Sequence, residues 1–182
     1  GKFGGDGYPI SGGLHGVGIS VVTALSEWTT VTVKREGHFH EMKLARGVVT
    51  QHMKTFGETT ETGTQVTFKP DGEIFKEGTD FDYDTLKVRM RELAFLNKGL
   101  TITLTDVRDG ATHQDVFCYA GGIVEFIKFL NEGKDLVDPG VISFEGEKDR
   151  VIVDIAMHYQ AGYSESMYTF VNNINTVEGG MH

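Results

Sequence analysis

The hydrophobic and polar positions of this chain change their period several times, and each change marks an element. After a glycine-rich opening, residues 17–26 read as a short helix whose β-branched side chains require tertiary support more than intrinsic propensity. Residues 28–34 and 38–44 are strand-like runs around Gly37, which predicts a hairpin, and residues 48–56 add a third strand. A polar loop over 57–63 then leads into the alternating Thr64-Gln65-Val66-Thr67-Phe68, a strand stopped by Pro70. Leu86, Met90, Leu93 and Asn97 recur at helical spacing, predicting a helix over 84–97 with Asp82 or Asp84 as its cap and Gly99 beyond its end. Residues 100–105 and 114–119 flank the turn signal Arg108-Asp109-Gly110-Ala111, a second hairpin. Gly121-Gly122 marks a boundary. Beyond it, Ile123, Phe126, Ile127 and Leu130 line one face of a helix, and 141–144, 151–159 and 166–174 read as strands. This order predicts α+β layers in two domains.

Composition narrows the class. Of 182 residues, 39% are hydrophobic and 24% charged, enough for a packed core, and no apolar run is long enough to span a membrane. Residues 1–7 lack the apolar stretch and small-residue cleavage pattern of a signal peptide, and both ends read as internal to a longer chain. The single cysteine, Cys118, fits a reducing cytoplasm and is expected to be a buried small hydrophobe. A net charge of −9 opposes broad contact with a nucleic-acid backbone, so any grip on DNA has to come from elsewhere.

The chemistry concentrates in Ser11-Gly12-Gly13-Leu14-His15-Gly16-Val17-Gly18. Glycines at 13, 16 and 18 let a backbone approach a ligand closely, and a helix follows at once, an arrangement that suits anionic phosphate. The absence of an apolar strand before the glycines argues against a dinucleotide-binding unit, and the missing Lys after Gly18 against a P-loop. His15 is expected to act through its backbone N–H rather than its imidazole. His113 and His158 have no partner spacing for a metal, Arg89 and Arg91 read as a solvated face, and Glu145, Glu147 and Asp149 as a solvated turn.

Gly1-Lys2-Phe3, Tyr8 and residues 11–18 together resemble the ATP lid of the GHKL ATPases. The resemblance is to the wording of the ATPase subunits of bacterial type IIA DNA topoisomerases, the gyrase B and topoisomerase IV group. It continues through Thr62-Gly63-Thr64-Gln65-Val66-Thr67-Phe68-Lys69-Pro70, residues 91–99, Tyr119-Ala120-Gly121-Gly122-Ile123, residues 146–149 and Phe170-Val171-Asn172-Asn173-Ile174-Asn175-Thr176, in order along nearly the whole chain. It implies the C-terminal part of a GHKL (Bergerat) sandwich over 1–119, then the start of an α/β transducer domain over 120–182.

The same resemblance implies a set of roles. Lys2, Tyr8, Gly13, Leu14, His15, Gly16, Val17 and Gly18 would surround the ATP phosphates, and Thr64 would line the base side of the pocket. The family's general-base Glu, magnesium-binding Asn and adenine-binding Asp would lie upstream of residue 1, so no catalytic residue and no Mg2+ ligand is named here, and this stretch alone is expected not to hydrolyse ATP. Implied partners are DNA, a second copy of the same subunit and the DNA-cleaving gyrase A protein in a heterotetramer, with no membrane. Other readings are a GHKL module without topoisomerase activity and, more remotely, a nicotinamide-dependent oxidoreductase. Pro9, Thr23 and Met181 depart from the family's Lys, Asn and Thr, and Pro9 removes one lid cation and one N–H donor.

Overall fold

The structure, a computed structural model, describes residues 17–149 and 151–176. The chain divides into two compact units, Gly1–Asp80 and Phe81–His182. Both mix helices with antiparallel sheets, an α+β architecture.

In the first unit, α1 (Gly18–Ala24) leads into a four-stranded sheet of β1 (Ser26–Arg35), β2 (His38–Ala45), β3 (Val48–Glu58) and β4 (Gly63–Pro70), in the order β3-β2-β1-β4. The helix stops earlier than its apolar pattern, because Leu25 and Ser26 are drawn into the sheet. The Leu25 carbonyl accepts from Asp71 N and the Ser26 carbonyl from Arg46 N, each over 3.0 Å. Glu36-Gly37 and Arg46-Gly47 have left-handed backbone at both positions, the conformation that closes a two-residue hairpin turn with the right twist. Register puts Val31 between Met42 and Val66 on one face, and Thr30 between Lys43 and Thr67 on the other. This is the alternation of a sheet with one apolar side.

The predicted 57–63 loop shrinks to 59–62, since His38 pairs with Glu58 and Lys34 with Gly63. Pro70 is the last residue of the fourth strand, as expected. It pairs with Ser26 in β4, an edge of this sheet, where the missing N–H breaks no ladder.

The second unit opens with α2 (Tyr83–Leu96). Of the two candidate caps, Asp82 serves, its Oδ1 accepting from Thr85 N over 2.7 Å. Gly99, at φ 77°, turns the chain out of the helix, and its N–H donates to the Tyr119 carbonyl. The hairpin of β5 (Ile102–Asp106) and β6 (His113–Phe117) follows, joined through a 3-10 turn at Arg108–Gly110. Then come α3 (Ile123–Leu130) and the hairpin of β7 (Ile142–Lys148) and β8 (Val151–Met157).

The strand expected over 166–174 is not formed. Asn172 and Asn173 both take left-handed φ angles, which Asn tolerates better than most residues, and fold the segment into the small hairpin β9 (Phe170–Val171) and β10 (Ile174–Asn175). Glu145 and Glu147 lie on β7, so they belong to a strand and not to the expected solvated turn.

The core of this unit is aromatic. Phe95, 2% exposed, stacks on Tyr119 with centroids 3.6 Å apart and packs beside Phe126 at 5.1 Å and Phe129 at 5.6 Å. Helix α2 therefore buries Ala94 and Phe95, whereas Leu86, Met90, Leu93 and Asn97 of the predicted stripe are only half-buried.

Candidate functional site

Of the residues proposed from sequence to hold nucleotide, Lys2, Tyr8, Gly13, Leu14, His15 and Gly16 lie outside the described residues. Val17 and Gly18 stand at the start of α1, both exposed, and the Val17 carbonyl accepts from Val21 N over 3.0 Å. Among the described residues, a side chain built on Gly18 would meet nothing within 4 Å. Thr64 is exposed on edge strand β4, paired with Val33. No hydrogen bond joins it to Val17 or Gly18 among the described residues. Thr23, the departure from Asn, is 8% exposed, and its hydroxyl donates to the Ser20 carbonyl of its own helix over 2.9 Å.

Beneath α1 the first unit is pinned by a charged bracket that the sequence did not single out. Asp71, 3% exposed, accepts from Glu73 N over 2.9 Å and from Arg46 Nε over 2.6 Å. Arg46 Nη2 also reaches Glu73 at 2.9 Å. The Glu73 N–H, and after it the Arg46 guanidinium, hold the Asp71 carboxyl below the usual carboxylate range. Neither Arg46 nor Asp71 falls in a motif, and only the closeness of the β2–β3 turn to the end of β4 brings them together. Thr29 is 1% exposed and its hydroxyl has no hydrogen-bond partner among the described residues.

The second unit corrects two expectations. Arg89 and Arg91 are half-buried, not a solvated face. Arg91 lies over the rings of Phe117 and Phe129, 5.5 and 5.0 Å from their centroids, and Arg89 pairs with Glu92 and donates to the Asn173 carbonyl. Cys118 is exposed, because Phe117, the preceding residue of the pleated run, takes the inward position.

Lys98 bridges the rung partners Glu145 and Asp154 at 3.2 and 3.3 Å, and these two carboxylates raise its pKa, Glu145 foremost. His113 stacks on Tyr83, and His158 contacts Asn131 and the Asp138 carbonyl. Burial, then the hydrogen bond to Asp115, pushes Tyr83 up to about 12. Among the described residues no group of three His, Cys, Asp or Glu side chains is placed to hold a metal ion, and no helix is long and apolar enough to cross a membrane.

Comparison with known proteins gives this geometry its context. A family model described as DNA gyrase B matches residues 122–182. The gyrase B protein of Halalkalibacterium halodurans is 53% identical over 182 residues, all of this chain and 28% of that protein. The chain belongs to the DNA gyrase B family. Other members of the family agree: the gyrase B of Clostridium acetobutylicum is 50% identical over 183 aligned positions and that of Streptococcus pyogenes serotype M1 48% over 182, again covering all of this chain and 28% of theirs. The chain thus spans little more than a quarter of the length of these curated relatives.

The crystal structure of the 43K ATPase domain of Thermus thermophilus gyrase B, in complex with an aminocoumarin, superimposes with a TM-score of 0.78 at 40% identity. The match covers 88% of this chain and 44% of that one. The fold is therefore that of the gyrase B ATPase region, a GHKL architecture, as the lid wording implied.

Proposed function

We propose that this chain is part of the ATPase subunit of a bacterial DNA gyrase, a type IIA topoisomerase that binds ATP and couples its hydrolysis to DNA strand passage and supercoiling. The observation that carries the reading is the match to gyrase B proteins at 48–53% identity along all 182 residues, lid included. In this reading residues 1–119 contribute the lid side of the GHKL domain and 120–182 the start of the transducer. Backbone N–H groups from Gly13 to Gly18 surround the phosphates, Lys2 adds a point charge, Tyr8 lies within the lid and Thr64 faces the base.

Magnesium would be held by residues of the complete protein upstream of residue 1, as the resemblance implies. DNA, a second copy of the same protein and gyrase A are the partners, and the cytoplasm is the place of action. With a net charge of −9 this stretch contributes closure and relay, leaving the grip on DNA to other parts.

The test is a calorimetric titration of the complete protein with a non-hydrolysable ATP analogue, in wild type and in Gly16→Val. A Cβ branch in the lid is expected to weaken binding by about tenfold or more, because the backbone is then held off the phosphates. Unchanged affinity in Gly16→Val would remove the lid from the site.

A further inference from the structure

The β9–β10 hairpin is closed on itself and fastened elsewhere at a few points. At its base Thr176 N donates to the Thr169 carbonyl over 2.8 Å, and the two hydroxyls hydrogen-bond to each other. At its tip the turn residues Asn172 and Asn173 have φ of 48° and 65°. Two side chains of the α2 region hold that tip. Arg89 Nη2 donates to the Asn173 carbonyl over 3.0 Å, and Asn173 Nδ2 donates to Asn97 Oδ1 over 3.1 Å. On the flank, Tyr168 and Phe170 rest against Phe126, with centroids 6.0 and 6.3 Å away. Residues 161–169 form no regular element, and Tyr163, Met167 and Tyr168 are exposed, so little apolar contact holds the segment down.

Each of the two fastening side chains has a second partner. Arg89 Nη1 is paired with Glu92, and Asn97 Nδ2 donates to the Leu93 carbonyl over 2.7 Å, closing the end of α2. If the tip lifts, Arg89 keeps its carboxylate and Asn97 keeps its role at the helix end. The freed groups of Asn173 pass to water instead of being left buried and unpaired, which is the condition under which losing a hydrogen bond costs little.

We propose that residues 169–176 are a reversible latch on α2: a closed hairpin that pivots where Tyr168 and Phe170 rest on Phe126, with Asn97 and an Arg89 shared between Asn173 and Glu92 as its catch. Glu92 holds Arg89 through Nη1 while Nη2 reaches the Asn173 carbonyl, so the two contacts coexist and the latch opens when either fastening side chain is removed. The inference stands on these contacts alone and does not depend on the nucleotide site.

Backbone 15N relaxation and amide exchange in the whole chain test it. Arg89→Met with Asn97→Ala is expected to take the order parameters at residues 172–174 from about 0.85, rigid backbone, to below about 0.6, while Thr176 amide exchange changes by less than about twofold. Asn97→Asp, which keeps an acceptor for the Asn173 side-chain amide, is expected to leave the tip closed. A tip that stays rigid in the double variant overturns the proposal. So does loss of Thr176 protection together with the tip, which would make these contacts part of the hairpin's folding.

Discussion

Among the described residues, the side chains most fully withdrawn from water are Thr23, Ser26, Thr29 and Asp71 in the first unit, whereas in the second they are Ala94, Phe95, Phe117 and Asn131. One unit is knit by backbone ladders, hydroxyls bonded to their own helix and a carboxylate bracket; the other is centred on stacked rings. The difference follows from geometry. Long antiparallel strands satisfy their polar groups with each other and need only one apolar face, which in the first unit stays half-exposed at Val66 and Phe68, 40% and 39%. Two helices and short hairpins have no such continuous ladder, so the second unit relies on burying large rings. Buried polar groups are safe only when all are paired, and that makes the first unit sensitive to single hydrogen bonds and the second to volume.

The largest expected effect tests the aromatic side of this contrast. Phe95→Ala removes the ring that Tyr119, Phe126 and Phe129 share, and is expected to cost about 3–5 kcal/mol, measured by urea unfolding followed in the near-ultraviolet circular dichroism. A loss below about 1 kcal/mol would mean the cluster repacks freely and is not a core. The next effect is smaller and opposite in sign. Thr29→Val replaces a buried hydroxyl that has no partner among the described residues, and should stabilise the sheet by about 1 kcal/mol, read at the fluorescence of Trp28, the only tryptophan, on the same strand. Destabilisation would instead reveal a partner for that hydroxyl.

The smallest effect is a pH dependence. Hydrogen bonds from Arg108 hold Asp106 down to about 2, below the roughly 3.9 of an unfolded Asp. A depressed carboxylate contributes stability that is present above the unfolded value and lost as pH falls through the folded one, so urea midpoints should decline between about pH 4 and 2. Asp71, depressed by the Glu73 N–H and Arg46, adds a loss of the same sign in the first unit. Midpoints that rise on acidification would exclude both.

The elements were largely legible in the sequence. Asp82 capping, the hairpin around Gly37 and the amphipathic pattern of α3 all rest on local chemistry that acts within a few residues. The lid wording was legible as well, because a glycine run ahead of a helix departs so sharply from ordinary text. The fate of 166–174 was not. Its alternating apolar residues fit a strand, and the left-handed turn at Asn172 and Asn173 overrode them. Arg91 read as solvated because a helical wheel shows spacing, not the Phe117 and Phe129 rings that arrive from β6 and α3.

By itself, then, the sequence determined where helices and strands begin, the one-sided apolar pattern of the sheet and the family resemblance, since all of these depend on neighbours close in the chain. Only the tertiary structure decided that Phe95 is the hub of the second unit, that Asp71 is bracketed by Arg46, and that Asn173 is gripped by Arg89 and Asn97. Each of these joins residues separated by 24 to 84 positions, and no local periodicity carries information about a partner so far along the chain.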